Sequence, residues 1–286
     1  MQPAIHLKSE IFHEANSNYY QYNLLVSDYQ FCYAVKDTLR NTYIVLKDYN
    51  LKKDFNRSDT FLQLQNILRQ EAFADIAASR TNVIVHAPFY TMVPSALYDQ
   101  KLNEALIHSL FTSEKLQNQI TLHQKVNDSM MMIFTVHKRL KELLDKLLIG
   151  EVKIWHAVGL TLSDLQRYLP SGNQKKAFVY VRQFQADIIV YDGRKLLLAN
   201  TFAYQSSVEF LYFLIFMLEQ CETDPNTCEV ALLGELEEDS MLYSELYKYV
   251  RHLNFLHPLN EERLDQSLRL KPHFYFNLFS TSLENH

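Results

Sequence analysis

Few side chains in this sequence have the type and spacing that catalysis requires. The eleven histidines are scattered, and there is no His-Glu-x-x-His pair for zinc, no Gly-x-Ser-x-Gly elbow for a serine nucleophile and no Gly-x-x-x-x-Gly-Lys loop for phosphates. His86, in an apolar strand-like run, and His156, beside Trp155, are the least surface-like; each reads as a hydrogen-bonded core residue. Cys32, Cys221 and Cys228 are odd in number, and Cys221 and Cys228 lack a His or Cys companion at ligand spacing. They read as reduced thiols, not as a metal site. The densest ionisable set is Glu235, Glu237, Glu238 and Asp239, directly after Gly234. Acidic residues before and in the first turn of a helix complement its macrodipole, so the run reads first as a helix start. No catalytic set and no metal ligand set is assigned.

The elements that would position any site follow from periodicity. Tyr22 to Ser27, Phe31 to Val35 and Thr42 to Leu46 are β-rich runs broken by turn residues, a pattern that predicts an antiparallel meander. A helix follows, capped near Ser58 to Thr60, with Phe61, Leu62, Leu64, Ile67 and Leu68 at helical spacing. A strand over 82–87, a short turn capped by Ser95, and a helix with the stripe Leu102, Ala105, Leu106 and Leu110 complete a βββαβα order. The same order returns about 155 residues later, with strands over 177–181, 187–191 and 195–198. There the Asp192-Gly193 turn is a strong hairpin signal. A helix capped by Ser206 or Ser207 and running through Cys221, a strand over 229–233 and a helix over 241–253 follow. Between the two units lie β-like runs at 119–124 and 131–136, a helix carrying Leu140, Leu143, Leu144, Leu147 and Leu148 on one face, a strand over 152–158 and a helix over 161–169 capped by Thr161 or Ser163. The expected lobes are residues 1–170, with an insertion at about 115–150, and residues 175–286, joined at the linker-like 170–174. Residues 271–286 fit a strand or a helix equally.

Composition narrows the function classes. The chain has 286 residues, 48 % of them hydrophobic, and a net charge of −5. Its basic residues come as short pairs such as Lys52-Lys53, not as a stripe, which argues against nucleic-acid binding. Phe210 to Leu218 is apolar around its whole circumference but far too short to cross a bilayer, so it reads as a helix buried between a sheet and a partner layer, or as an oligomer face. The amino terminus lacks the pattern of a secretory signal, and the expected location is the cytoplasm. The first 149 residues contain no glycine, so no glycine-built phosphate loop can lie there.

A duplicated βββαβα order resembles the actin-like ATPase fold, in which two ribonuclease H-like lobes enclose a nucleotide cleft. The fold class expected is therefore α/β, with mixed sheets. More specifically, three stretches resemble a bacterial domain-of-unknown-function family assigned to that fold. They are Thr91-Met92-Val93-Pro94-Ser95-Ala96-Leu97-Tyr98, the run from Leu196 to Tyr204 with Glu209-Phe210-Leu211-Tyr212, and Leu232-Leu233-Gly234-Glu235. The resemblance covers most of the chain, and the family has no established activity.

In active members of the superfamily, the first hairpin turn of each half offers backbone N–H groups and a carboxylate to the phosphates and Mg²⁺, and a paired-glycine loop faces the adenosine. By that resemblance the nucleotide-binding positions here are Asp28, Asp187 and Gly234, in vestigial form. Tyr29 and Gln30 stand where glycine and a small hydroxyl residue are expected, and Phe184 would crowd a phosphate. One glycine remains in the third loop, and the carboxylates after it would repel a polyanion. The resulting expectation is a pseudo-ATPase without cofactor that works as a protein interaction or assembly module and is able to form homo-oligomers. The alternative is a divergent Mg-nucleotide-dependent ATPase or phosphotransferase, the only reading in which ATP and Mg²⁺ are bound. Burial of both Tyr29 and Phe184 would favour the first; both turned outward into an open, basic-lined cleft would favour the second. The 18 tyrosines and 18 phenylalanines supply material for a recognition surface. Tyr243, Glu245, Tyr247 and Tyr249 cannot share one helix face, so at least one should reach the surface.

Overall fold

Strand-forming residues and buried aromatics build the structure, a computed structural model, into two compact units. It describes residues 1–52, 57–73, 78–170, 172–268 and 271–283. Unit 1 comprises residues 1–163, 262–270 and 277–286, and unit 2 comprises residues 164–261 and 271–276. This division differs from lobes of 1–170 and 175–286: the chain changes unit inside a helix, and two C-terminal stretches belong to unit 1.

In unit 1, β1 (Ile5–Lys8), β2 (Tyr20–Val26), β3 (Gln30–Asp37) and β4 (Thr42–Asn50) precede α1 (Arg57–Gln70) and β5 (Arg80–Val85). Then come β6 (Tyr90–Pro94), α2 (Asn103–Leu110), β7 (Gln119–Asn127), β8 (Met130–His137), α3 (Lys138–Leu147), β9 (Val152–His156) and α4 (Ala157–Leu165). The large sheet has the order β1-β4-β3-β2-β5-β9, with the meander antiparallel and β5 parallel to both β2 and β9. A separate sheet, β6-β8-β7, carries the insertion. The insertion thus starts at β6, not near residue 115, because Tyr90 to Pro94 pair with Phe134 to Met130.

Unit 2 repeats the central pattern. β10 (Lys175–Arg182), β11 (Gln185–Asp192), β12 (Lys195–Ala203), α5 (Ser207–Gln220), β13 (Glu229–Gly234), α6 (Met241–Tyr247) and β14 (His252–Phe255) form a sheet of order β12-β11-β10-β13-β14. Position for position this matches β4-β3-β2-β5-β9, so the repeat has five strands in each unit.

One face of the large sheet receives the region after α1, where Phe73 meets the rings of Tyr22 and Tyr33 edge-on. Beside it Glu71 accepts hydrogen bonds from Tyr33, Tyr49 and Lys47. Burial alone would raise the Glu71 carboxyl; Lys47 and the two tyrosine hydroxyls outweigh it and hold it below the ordinary range. On the opposite face Asn23, fully buried, takes a bond from Asn82 Nδ2 at 2.9 Å and donates to the Leu278 carbonyl at 2.7 Å. Trp155 Nε1 donates to Asn82 at 3.1 Å, so the buried amides form one connected network. In unit 2, Phe210, Leu214 and Leu218 of α5 lie at i, i+4 and i+8 and pack on Val179, Val181, Ile188 and Val190.

Several local expectations are corrected. α1 is already under way at Arg57, so Ser58 to Thr60 lie in its first turn. Ser95 sits inside a 3-10 turn over Ser95–Leu97, whose cap position is Pro94. On α2 the buried residues are Asn103 and Ile107, while Leu102 and Leu110 are exposed: the small sheet lies on a neighbouring face of the helix from the one the leucines mark. Thr161 and Ser163 do not cap α4. They lie within it and bond back to the carbonyls of Ala157 at 3.0 Å and Gly159 at 2.9 Å, the usual way a hydroxyl is satisfied in a helix interior. The helix expected over 241–253 ends at Tyr247, because His252 to Phe255 pair in parallel with β13 and alternate in burial. Ser206 caps α5 by accepting from Glu209 N at 3.2 Å, and Glu209 accepts in return from Gln205 N at 2.8 Å. Residues 271–286 are neither strand nor α-helix in their described part, which forms 3-10 segments over Pro272–Phe279 and Thr281–Leu283. No helix among the described residues is long and apolar enough to cross a membrane.

Candidate functional site

The first hairpin turn, between β2 and β3, is closed on itself. Ser27 Oγ accepts from Tyr29 N at 3.3 Å and from Gln30 N at 3.0 Å, and Ser27 N donates to the Gln30 carbonyl at 2.9 Å. The Tyr29 carbonyl accepts from Leu51 N at 2.7 Å. Two backbone donors that a phosphate would require are therefore engaged by a serine hydroxyl. Gln30 Nε2 donates to Asp48 at 2.9 Å, and Asp28 is exposed at the tip of the turn.

The turn between β10 and β11 is of another kind. Phe184 holds φ at +63°, a left-handed conformation uncommon for a bulky residue, and is 46 % exposed. Tyr29 is half-buried. With one side chain exposed and the other half-buried, these two residues do not separate the expected readings.

Two residues past the turn, Asp187 points into the sheet face and is only 2 % exposed. Arg182 Nη2 lies 2.5 Å from its Oδ1, and Thr201 Oγ1 donates to the same oxygen at 2.7 Å. Register explains the set: Thr201 is directly opposite Asp187 on β12, and Arg182 lies diagonally across on β10. Burial raises the Asp187 carboxyl above the ordinary range, against the opposing pull of Arg182 and Thr201. Sequence reading singled out the aspartate and missed both partners; an arginine five residues earlier across a two-residue turn was the available signal.

Gly234 ends β13 at φ +85°, and a Cβ there would lie 2.0 Å from the Val181 carbonyl oxygen and 3.0 Å from the Tyr180 ring. The same carbonyl accepts from Glu235 N at 2.8 Å. The glycine is required by the β10–β13 crossing itself. Gly234→Ala is expected to cost about 2–4 kcal/mol of stability, from the positive φ and the overlap together. Denaturant unfolding without any nucleotide reads this out; an unchanged midpoint would remove the packing role. The four acidic residues all precede α6, none lies in its first turn, and Ser240 is the cap. Glu237 is paired with Lys271.

The three candidate positions are not brought into one set by either unit: Asp28 belongs to unit 1, and Asp187 and Gly234 belong to unit 2. His156 is buried with Nε2 2.9 Å from the Ala87 carbonyl, beside the rings of Tyr90 and Phe134. Met132 is fully buried in β8. The three cysteines form no disulfide with one another, and no group of three or more metal-ligating side chains occurs among the described residues. Tyr247, at the end of α6, is exposed, and so is Tyr249, which lies beyond the helix.

With this geometry, the comparisons are specific about fold. Residues 9–253 match a family described as Protein of unknown function (DUF3822). No curated protein matches the chain in sequence. Among solved structures, a Bacteroides thetaiotaomicron protein with actin-like ATPase fold and unknown function is similar, with a TM-score of 0.76, 20 % identity, and 91 % of this chain and 97 % of that one covered. A chain of the PilM-PilN type IV pilus biogenesis complex is similar with a TM-score of 0.68 and 12 % identity, covering 93 % of this chain and 98 % of that one. The fold is the actin-like ATPase fold, mixed α/β with several sheets.

Proposed function

Since the chain belongs to the DUF3822 family and has the actin-like ATPase fold, we propose that it is a non-catalytic member of that fold, an interaction or assembly module acting on a protein partner in the cytoplasm. The observation that carries this reading is the Asp187 carboxylate, buried beneath Arg182 and Thr201. A magnesium ion needs an accessible carboxylate oxygen, and a phosphate needs free backbone donors. In unit 2 a guanidinium engages the Asp187 carboxylate, and in the first turn of unit 1 Ser27 Oγ engages two backbone donors; both support the non-catalytic reading, and the exposed Asp28 is the carboxylate at which a magnesium nucleotide is to be tested. An assembly role has a precedent in the fold, since one similar chain belongs to a pilus biogenesis complex. Cysteines without a disulfide suit a reducing compartment.

Thermal unfolding of the full chain with millimolar Mg-ATP, Mg-ADP and Mg-GTP tests the reading. A ligand at 100 times its dissociation constant stabilises the native state by about 2.7 kcal/mol, a shift of several degrees for units of this size. The expected result is no shift. A reproducible shift abolished by Asp28→Ala would overturn the proposal in favour of a divergent ATPase or phosphotransferase.

A further inference from the structure

The outer face of α5 is apolar and open. Val208, Tyr212 and Phe216 lie at i, i+4 and i+8, opposite the buried Phe210, Leu214 and Leu218, and are 70 %, 60 % and 39 % exposed. The Tyr212 and Phe216 rings stack at 5.9 Å with 6° between their planes, so the stripe is preorganised. The helix was expected either to be buried between a sheet and a partner layer or to form an oligomer face; α5 packs on the sheet and on α6, and the face carrying Val208, Tyr212 and Phe216 is a ridge about 12 Å long.

The charge around this ridge says what can cover it. From Leu196 to Tyr247 the chain carries ten carboxylates and no lysine, arginine or histidine, against a net charge of −5 for the whole protein. Glu229, Glu237 and Glu245 are paired with lysines from outside that stretch, and Lys175 Nζ donates to the Cys221 and Glu222 carbonyls just past α5, one cation among the carboxylates of Glu219, Glu222 and Asp224. Glu209 lies in the first turn of α5, and Glu219 and Glu222 are exposed at its far end. An aromatic ridge with acidic ends and no positive side chain of its own repels an identical copy in a two-fold contact, and also repels an anionic lipid surface. It complements a basic amphipathic segment.

We propose that the outer face of α5 docks a basic, amphipathic helical segment of a partner protein, with Tyr212 and Phe216 as anchors and Glu209, Glu219 and Glu222 setting charge preference. The proposal rests on the interaction-module reading and names where and with what chemistry that interaction occurs.

The test titrates the full-length protein into two labelled helical peptides of about 18 residues, long enough to hold helix. They share one leucine pattern and carry lysine or glutamate at every polar position; binding is read by fluorescence anisotropy. The lysine peptide should bind at least about tenfold tighter than the glutamate peptide, with affinity falling as salt rises. The double variant Tyr212→Ser with Phe216→Ser should lose about tenfold or more, as should Val208→Asp if the double variant unfolds. Glu219→Lys with Glu222→Lys should weaken the lysine peptide, while Glu104→Lys on α2 should leave it unchanged. Equal binding of both peptides, or binding indifferent to the ridge variants, overturns the proposal. So does a dimer in sedimentation velocity that the ridge variants dissociate, which would make a second copy the occupant. The nucleotide experiment is independent: a silent thermal shift with failed peptide binding removes only the docking site, and a nucleotide shift removes the non-catalytic reading whatever the peptide does.

Discussion

A chain ended after Phe276 is expected to lose the cooperative unfolding transition of unit 1. Residues 277–283 look dispensable by position, yet Leu278, Phe279 and Leu283 are almost wholly buried in that unit. Burying three such side chains contributes roughly 5–9 kcal/mol. That is comparable with the whole stability of a typical domain, about 5–15 kcal/mol. The polar losses add to it. Asn23 would lose the Leu278 carbonyl it donates to at 2.7 Å, whereas Thr161 keeps the Ala157 carbonyl at 3.0 Å; Tyr43 would also lose its packing on the Phe279 ring, whose centroid is 4.9 Å away. Each buried group left unsatisfied costs about 1–3 kcal/mol more. Urea titration followed by circular dichroism checks this, and Phe279→Ala, expected to cost about 3–5 kcal/mol, gives a graded version. A truncated chain with the full-length midpoint would show the tail to be ornamental.

The second large effect is expected at Asp187. Asp187→Ala leaves the Arg182 guanidinium buried without its counter-charge and should destabilise by about 3–5 kcal/mol. Replacing both partners, Arg182→Met with Asp187→Leu, should recover most of the loss, because the cost lies in the stranded charge and not in the missing attraction. Both measurements are made without nucleotide. If Asp187→Ala were instead as stable as the parent and altered only a response to Mg-ATP, the carboxylate would belong to a ligand site and the pairing with Arg182 would be incidental.

Candidate-site residues were legible unevenly. Ser206 was readable as a helix cap because capping involves only neighbours in sequence. Gly193, at φ +54°, was readable for the same reason, since a two-residue hairpin turn is local chemistry. Asp187 was visible as a candidate carboxylate, but its environment was not: Thr201 is opposite it only through the β11–β12 register. Gly234 read as the remnant of a nucleotide loop, whereas the structure gives it a packing reason in the Val181 carbonyl, 53 positions earlier. The fourth and fifth strands of each five-stranded pattern are held by parallel pairing, which leaves no turn signal in sequence; β14 was consequently read as the end of a helix.

By itself, then, the sequence determined the duplicated meander, the Ser206 cap, the tight turn at Gly193, and the absence of a glycine-built phosphate loop in its first 149 residues, all of which depend on residues near one another in the chain. Only the tertiary structure decided which hydroxyls, carbonyls and guanidinium groups engage the turn donors and the candidate carboxylate, that the C-terminal residues serve unit 1, and that one face of α5 stays open. Those outcomes depend on sheet register and on packing between distant segments, where a shift of one residue exchanges the buried face for the exposed one and no local pattern records the choice.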